Sequence, residues 1–514
     1  MSHHLRSVVR IDGSSLSLEE VDRVAGRKAR VVLSSSARRR MERGRKIIEN
    51  LARGEDLVYG VNTGFGGLKG VRIPTNCLED LQANLIRSHC AGVGELLTAE
   101  QTRALMLLRA NVLARGNSGV RPEIVDLLLA MLERDLLPPI PSQGSVGASG
   151  DLAPLAHLVL AMIGEGMLRS AGRLLPAAPA LRRARLRPLR LRAKEGLSLI
   201  NGTQLMTALG TLALIRAENL LVHADLAGAL SLEALQGSRR AFDRRIEKLR
   251  THPGQAASAA NLRALLAHSE IEESHARCGR VQDSYALRCM PQVHGAARDA
   301  LVHVRGVLER EVNAVTDNPI FFPTEGLLIS AGNFHGEPVA MALDYLAIAL
   351  AEVASISERR IERLTNPDLS GLPAFLTPDP GLHSGFMMAQ VTAAALVSEN
   401  KTLAHPASVD SIPTSAAQED HVSMGAWAAR KAVTVLENAE RVVAIEMVAG
   451  CQGLDFLAPL ATSRPLEAAR RAVRRVIPRL ESDRVLSDDI ARMTALLRTG
   501  EVRGAVERVT GPLR

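Results

Sequence analysis

Aromatic residues are scarce in this chain: one tryptophan, three tyrosines and eight phenylalanines make up 2% of 514 residues. Its core must be packed with Leu, Ala, Val, Ile and Met, a composition that favours helices over a β-sandwich. Cysteine is sparse as well. Cys77, Cys90, Cys278, Cys289 and Cys451 are odd in number, form no CxxC pair and fit no zinc spacing. They are expected to be unpaired thiols in a reducing compartment. The 14 histidines show no HExxH pattern, so no metal is expected. The N-terminal MSHHLRSVVR lacks the apolar stretch of a secretory leader. The longest apolar run, Pro338 to Ile356, is interrupted by Asp344 and Glu352 and reads as a buried helix rather than a membrane span. A soluble cytoplasmic protein without a membrane partner is the expectation.

The formal net charge is +8, a value that raises the question of a nucleic-acid partner. Most of the basic residues are arginines scattered among acidic ones. The one dense stretch, Arg182 to Lys194, is interleaved with apolar residues and Pro188 and reads as a solvated strand or loop. It has no aromatic side chain on which a base could stack, so no nucleic acid is expected to bind.

No internal repeat is visible. Residues 41–53, 100–115 and 124–136 carry helical periodicity, and the glycine-rich YGVNTGFGGLKG from Tyr59 onward reads as a loop. LPPIPSQGSVGASG at 137–150 is a second loop, with a helix beginning near Asp151, a good N-cap. From about residue 197 long alanine-rich apolar windows recur, at 203–236, 285–312, 337–364, 386–404 and 420–451. Each exceeds the usual helix length. The expected fold is therefore all-α: a bundle of long helices over 197–514, preceded by a smaller lobe over 1–196 that carries the 137–150 loop.

Three small residues stand in a row at Ala148-Ser149-Gly150, just before helix propensity rises. Glycine lets a chain turn back tightly on itself. If the Gly150 nitrogen meets the Ala148 carbonyl carbon, a five-membered ring can close. Loss of water from the ring and from Ser149 leaves a methylidene-imidazolone, an electrophile that no standard side chain supplies. A bare Ala-Ser-Gly is usually only a turn. Here it lies within GSVGASGDLAPLAH, and this segment closely resembles the signature of the aromatic amino acid ammonia-lyase family, in which the triad cyclises to the prosthetic group. The similarity runs from YGVNTGFG at 59–66 to AIEMVAGCQGLD at 444–455. It implies the all-helical fold shared with the fumarase and aspartase group, and a homotetramer whose sites are assembled from several subunits. It implies neither pyridoxal phosphate nor a nucleotide.

Ammonia elimination needs an electrophile for the amine, a base at the β-carbon, a cation for the carboxylate and a reader for the side chain. Tyr59, at the lip of the glycine-rich loop, corresponds to the family's base, and it requires positive surroundings to approach the phenolate form. Arg288, in VQDSYALRCMPQVHG, corresponds to the carboxylate-binding arginine. Gln282 and Tyr285 correspond to neighbours that hydrogen-bond around the electrophile, with Ser284 where the family has proline. Asn201 in LSLINGTQ corresponds to the asparagine that positions the carboxylate and prosthetic group, and Phe334 in GNFHGEP to an active-site aromatic.

Within the resemblance, Ser88-His89 matches the pair that reads the substrate side chain in the histidine-specific members, and Glu419 stands where other members usually have glutamine. A polar pocket suits an imidazole and rejects a phenyl ring. The expected reaction is thus loss of ammonia from L-histidine to give trans-urocanate, the first step of histidine breakdown, with the small amino acid as ligand. Two departures, Ala417 for a common asparagine and Cys90 for alanine, lie near the reader. A 2,3-aminomutase using the same electrophile, and a tyrosine or phenylalanine lyase, are the alternatives within the family. A helical scaffold without catalysis is the alternative outside it, and the intact triad with Tyr59 and Arg288 argues against that.

Overall fold

Side chains of Gln204–Ala234 are buried on nearly every face, the condition of a helix at the centre of a bundle. A computed structural model describes residues 7–54, 56–276 and 278–514. Residues 1–6, the start of the segment expected to lack a leader, lie outside the described residues. The fold is all-helical with small sheets. The long apolar windows become Gln204–Ala234, Met290–Glu311, Glu337–Thr365, Met387–Leu403 and Gly425–Asp455. By length and composition alone Gln204–Ala234 and Glu337–Thr365 could cross a membrane, and most of each such stretch is buried in the fold.

The chain divides into two compact units, each discontinuous in sequence. One comprises Met1–Ile215, Arg305–Asp344 and Pro406–Arg430, the other Arg216–Val304, Tyr345–His405 and Lys431–Arg514. The expected boundary at 196–197 falls inside the first unit.

Four two-stranded sheets occur among the described residues. One matters for the site: Val93–Leu96 pairs antiparallel with Pro141–Gln143, Val93 opposite Gln143. It lays the segment after His89 beside the segment before Ala148. Gly94 adopts φ +84° there, a left-handed conformation that favours glycine.

Two sequence expectations change in this unit. Asp151 precedes the helix Leu152–Met162 but does not cap it with its side chain. Its buried carboxylate instead accepts from the backbone N–H groups of Leu205 (2.8 Å) and Met206 (3.1 Å) and from the Ser145 hydroxyl (2.9 Å). It thus caps the long helix Gln204–Ala234 from 54 residues away. Burial pushes the Asp151 carboxyl up to about 6. The basic stretch is solvated at Arg182, Arg183, Arg185, Arg187, Arg190 and Arg192 but not at its end. Lys194 is fully buried and pairs with the buried Asp317 at 3.2 Å, also donating to Ser198 Oγ and the Ser118 carbonyl. Lys194→Met strands Asp317 as an unpaired buried charge and is expected to cost about 3–5 kcal/mol. A urea titration checks this, and Lys194→Met combined with Asp317→Leu should recover most of the loss.

Candidate active site

Loops from four stretches of the first unit converge on Ala148-Ser149-Gly150. Gly147 and Gly150 both adopt positive φ, +67° and +73°. Gly150 bridges to Gly202, and a Cβ on Gly150 would stand 2.2 Å from the Gly202 carbonyl oxygen. No other residue fits that approach. From the other side, Ser423 Oγ donates to the Gly147 carbonyl (2.9 Å), the Gly336 N–H reaches the same oxygen (3.1 Å) and the Met424 N–H donates to the Val146 carbonyl (2.8 Å). The tripeptide is clamped between backbone segments before any side chain is considered.

Asn201 Nδ2 donates to the Ser149 carbonyl at 2.8 Å, while its Oδ1 is buried without a partner. The asparagine is held by the fully buried Arg109, which donates to the carbonyls of Asn201 (2.8 Å) and Ser198 and to Gln204 Oε1 (2.6 Å). Ser149 Oγ donates to Glu419 Oε1 at 2.6 Å, and Thr414 Oγ1 donates to Glu419 Oε2 at 2.6 Å. Glu419 therefore sits in a loop, paired by its backbone with Thr414, and not in a helical first turn. Ser415, Ala416 and Ala417 just before it all have left-handed backbone, φ +53°, +54° and +61°. Asparagine tolerates that conformation better than alanine, which gives the departure at Ala417 a physical meaning.

A cavity of about 780 Å³ opens over Ser149. It gathers Tyr59, His89, Ala148, Ser149, Asn201, Phe334 and Glu419. The sequence alone did not point to Leu85, Lys69, His335 or His421, which line it too. Leu85 was findable: it lies one helical turn before His89 on Leu78–His89, so the two share a face. Ser88 does not line the cavity. It lies on the exposed side of that helix, its Oγ 3.0 Å from the Leu85 carbonyl and 3.1 Å from His89 Nδ1.

The electrostatics also depart from expectation. Burial pushes the Tyr59 phenol above its ordinary value and the Glu419 charge pushes it the same way; the Gly66 N–H, 3.4 Å from the phenol oxygen, opposes them. The positive surroundings expected for a base are not supplied by the described residues that affect this group. The nearby Lys69 ammonium is tied to Gln418 at 2.7 Å. His89 is pushed down by burial, which favours the neutral imidazole.

Gln282, Tyr285 and Arg288 are not gathered here. They belong to the second unit, where Gln282 and Arg288 line another cavity with Arg239, Phe242 and His275. Tyr285 is 72% exposed, with the Arg288 guanidinium 4.7 Å above its ring, and Arg288 Nε has no partner.

An all-helical chain with a clamped Ala-Ser-Gly turn under a polar cavity defines a class, and residues 16–475 match the aromatic amino acid lyase family. The chain belongs to that family. It is 56% identical over 510 residues to histidine ammonia-lyase of Sorangium cellulosum, covering 98% of this chain and 99% of that protein. The crystal structure of histidine ammonia-lyase from Trypanosoma cruzi is similar with a TM-score of 0.91 at 48% identity, over 98% of this chain and 95% of that one. Tyrosine aminomutase from Streptomyces globisporus gives a TM-score of 0.93 at 40% identity, over 98% and 100%.

Proposed function

We propose that this chain eliminates ammonia from L-histidine to give trans-urocanate, in a site built on a methylidene-imidazolone formed from Ala148-Ser149-Gly150. The observation that carries the reading is the convergence of His89 and Glu419 on Ser149 in one cavity. A carboxylate and a neutral imidazole together offer a hydrogen-bond partner to each nitrogen of an imidazole ring. A phenyl ring would leave both unpaired.

The residues present fit the prosthetic group. Gly150 has the positive φ and close packing of a turn drawn tightly back. The buried Asn201 amide already holds the Ser149 carbonyl and keeps one oxygen free. When formed, the group supplies an electrophile for the substrate amine. The remaining work belongs to side chains. Asn201 holds the carboxylate end, His89 and Glu419 hold the ring, Phe334 walls the pocket, and Tyr59 takes the β-proton.

Arg288, with Tyr285 and Gln282, completes the site from a second copy of the chain in a homotetramer. The exposure of Tyr285 and the unpartnered Arg288 Nε support this. The same arrangement answers the Tyr59 problem: a guanidinium arriving with the second copy supplies the positive charge that lowers a phenol's pKa. It also grips the substrate carboxylate. With a small amino acid as ligand and free thiols at all five cysteines, we place the protein in the cytoplasm.

The test compares L-histidine, L-tyrosine and L-phenylalanine as substrates of the unaltered chain and of Glu419→Gln. The unaltered chain is expected to prefer histidine. Glu419→Gln should lower kcat/KM for histidine by about a hundredfold, because a charged, geometrically held partner is lost. A preference for tyrosine, or formation of a β-amino acid, contradicts the reading.

A further inference from the structure

The contacts around His89 settle more than its presence in the pocket. Ser88 Oγ lies 3.0 Å from the Leu85 carbonyl and 3.1 Å from His89 Nδ1. A hydroxyl has one proton, and a carbonyl can only accept. If Ser88 donates to Leu85, the second contact is a hydrogen bond only when His89 Nδ1 carries a proton and donates to Ser88 Oγ. The Ser88 hydroxyl, spent as a donor on Leu85, therefore selects the tautomer of His89 that carries its proton on Nδ1.

We propose that Ser88 is a positioning residue that holds neutral His89 as its Nδ1–H tautomer, leaving Nε2 to the cavity as a hydrogen-bond acceptor. The proposal rests on the functional reading above and deepens it. His89 then requires an N–H on the substrate ring, while Glu419, already an acceptor for Ser149 and Thr414, provides a second acceptor. Two acceptors facing one ring select a ring that can present N–H groups at both nitrogens, and an imidazolium does. A ring that only accepts is rejected by both. Ser88 sets this polarity without touching the ligand, which fits its exposed place outside the cavity lining.

The experiment compares the unaltered tetramer with Ser88→Ala and Ser88→Thr, using L-histidine as substrate and 4-thiazolylalanine as competitive inhibitor. The thiazole ring accepts hydrogen bonds but has no N–H. Alanine at this exposed helical position does not threaten folding, and threonine keeps a hydroxyl able to bond the carbonyl of the preceding turn. Ser88→Ala is expected to raise KM for histidine roughly tenfold with a smaller change in kcat, as loss of a bond present before and during reaction requires. In the same variant 4-thiazolylalanine should bind as well as before or better, since the freed ring can turn its N–H to the cavity. Ser88→Thr should restore both values. Equal weakening of substrate and inhibitor by Ser88→Ala, or no change in either, overturns the proposal. Failure of the unaltered chain to turn over histidine overturns the functional reading and this proposal with it.

Discussion

Ser149→Ala is expected to remove at least about three orders of magnitude of kcat while leaving the thermal unfolding temperature unchanged. The energetic argument is that Ser149 contributes little to the fold. It is half-buried, and its side-chain partner, Glu419 Oε1, keeps the Thr414 bond on its other oxygen. The clamp on the tripeptide is made by Gly147, Gly150, Asn201 and Gly202, none of which changes. What the substitution removes is the hydroxyl that, in the proposed cyclisation, leaves to make the methylidene carbon. Intact-protein mass gives an independent readout. The unaltered chain should be lighter than its sequence by two waters, and Ser149→Ala should not undergo both losses. Activity retained within tenfold of the unaltered enzyme would contradict the assignment of the electrophile.

A mixture of two inactive variants is expected to be active. Arg288→Ala alone should lose on the order of a hundredfold or more in kcat/KM, because in the proposed assembly the guanidinium both orients the carboxylate and supplies positive charge near Tyr59. In a co-expressed mixture of Ser149→Ala and Arg288→Ala, the proposed homotetramer has each site draw residue 149 from one chain and residue 288 from another. With random assembly about a quarter of sites then hold both intact residues, so activity should recover to about a quarter of normal. If both residues came from one chain, no site in the mixture would be whole and recovery would be nil. The described lining of the cavity over Ser149 includes neither Gln282, Tyr285 nor Arg288, and the mixture tests the proposal that a second copy supplies them.

The long helices were legible because their signal is local. Windows of apolar residues with few breakers became Gln204–Ala234 and Glu337–Thr365 almost residue for residue. The paired strands Val93–Leu96 and Pro141–Gln143 were not, since they are too short to carry a period and owe their pairing to a distant partner. Asp151 looked like a cap and is one, but for a helix that begins more than fifty residues later, a relation no local pattern contains. Lys194 ends a basic run in the sequence, and only the fold brings Asp317 to it. Within the site, residue types were readable from the chemistry and the family resemblance, whereas their arrangement was not. Ser88 and His89 read in sequence as one pair, although adjacent helical positions face apart. The family resemblance puts Tyr59 among positive charges, but in the described structure burial and the Glu419 charge act on it instead, a relation that only the fold reveals.

The most direct test of the central claim is a time course of the purified, unaltered protein with L-histidine, following urocanate by ultraviolet absorbance and ammonia in parallel. Both are expected to rise together in equal amounts. Absence of ammonia from a folded protein whose mass shows the loss of two waters would contradict the claim.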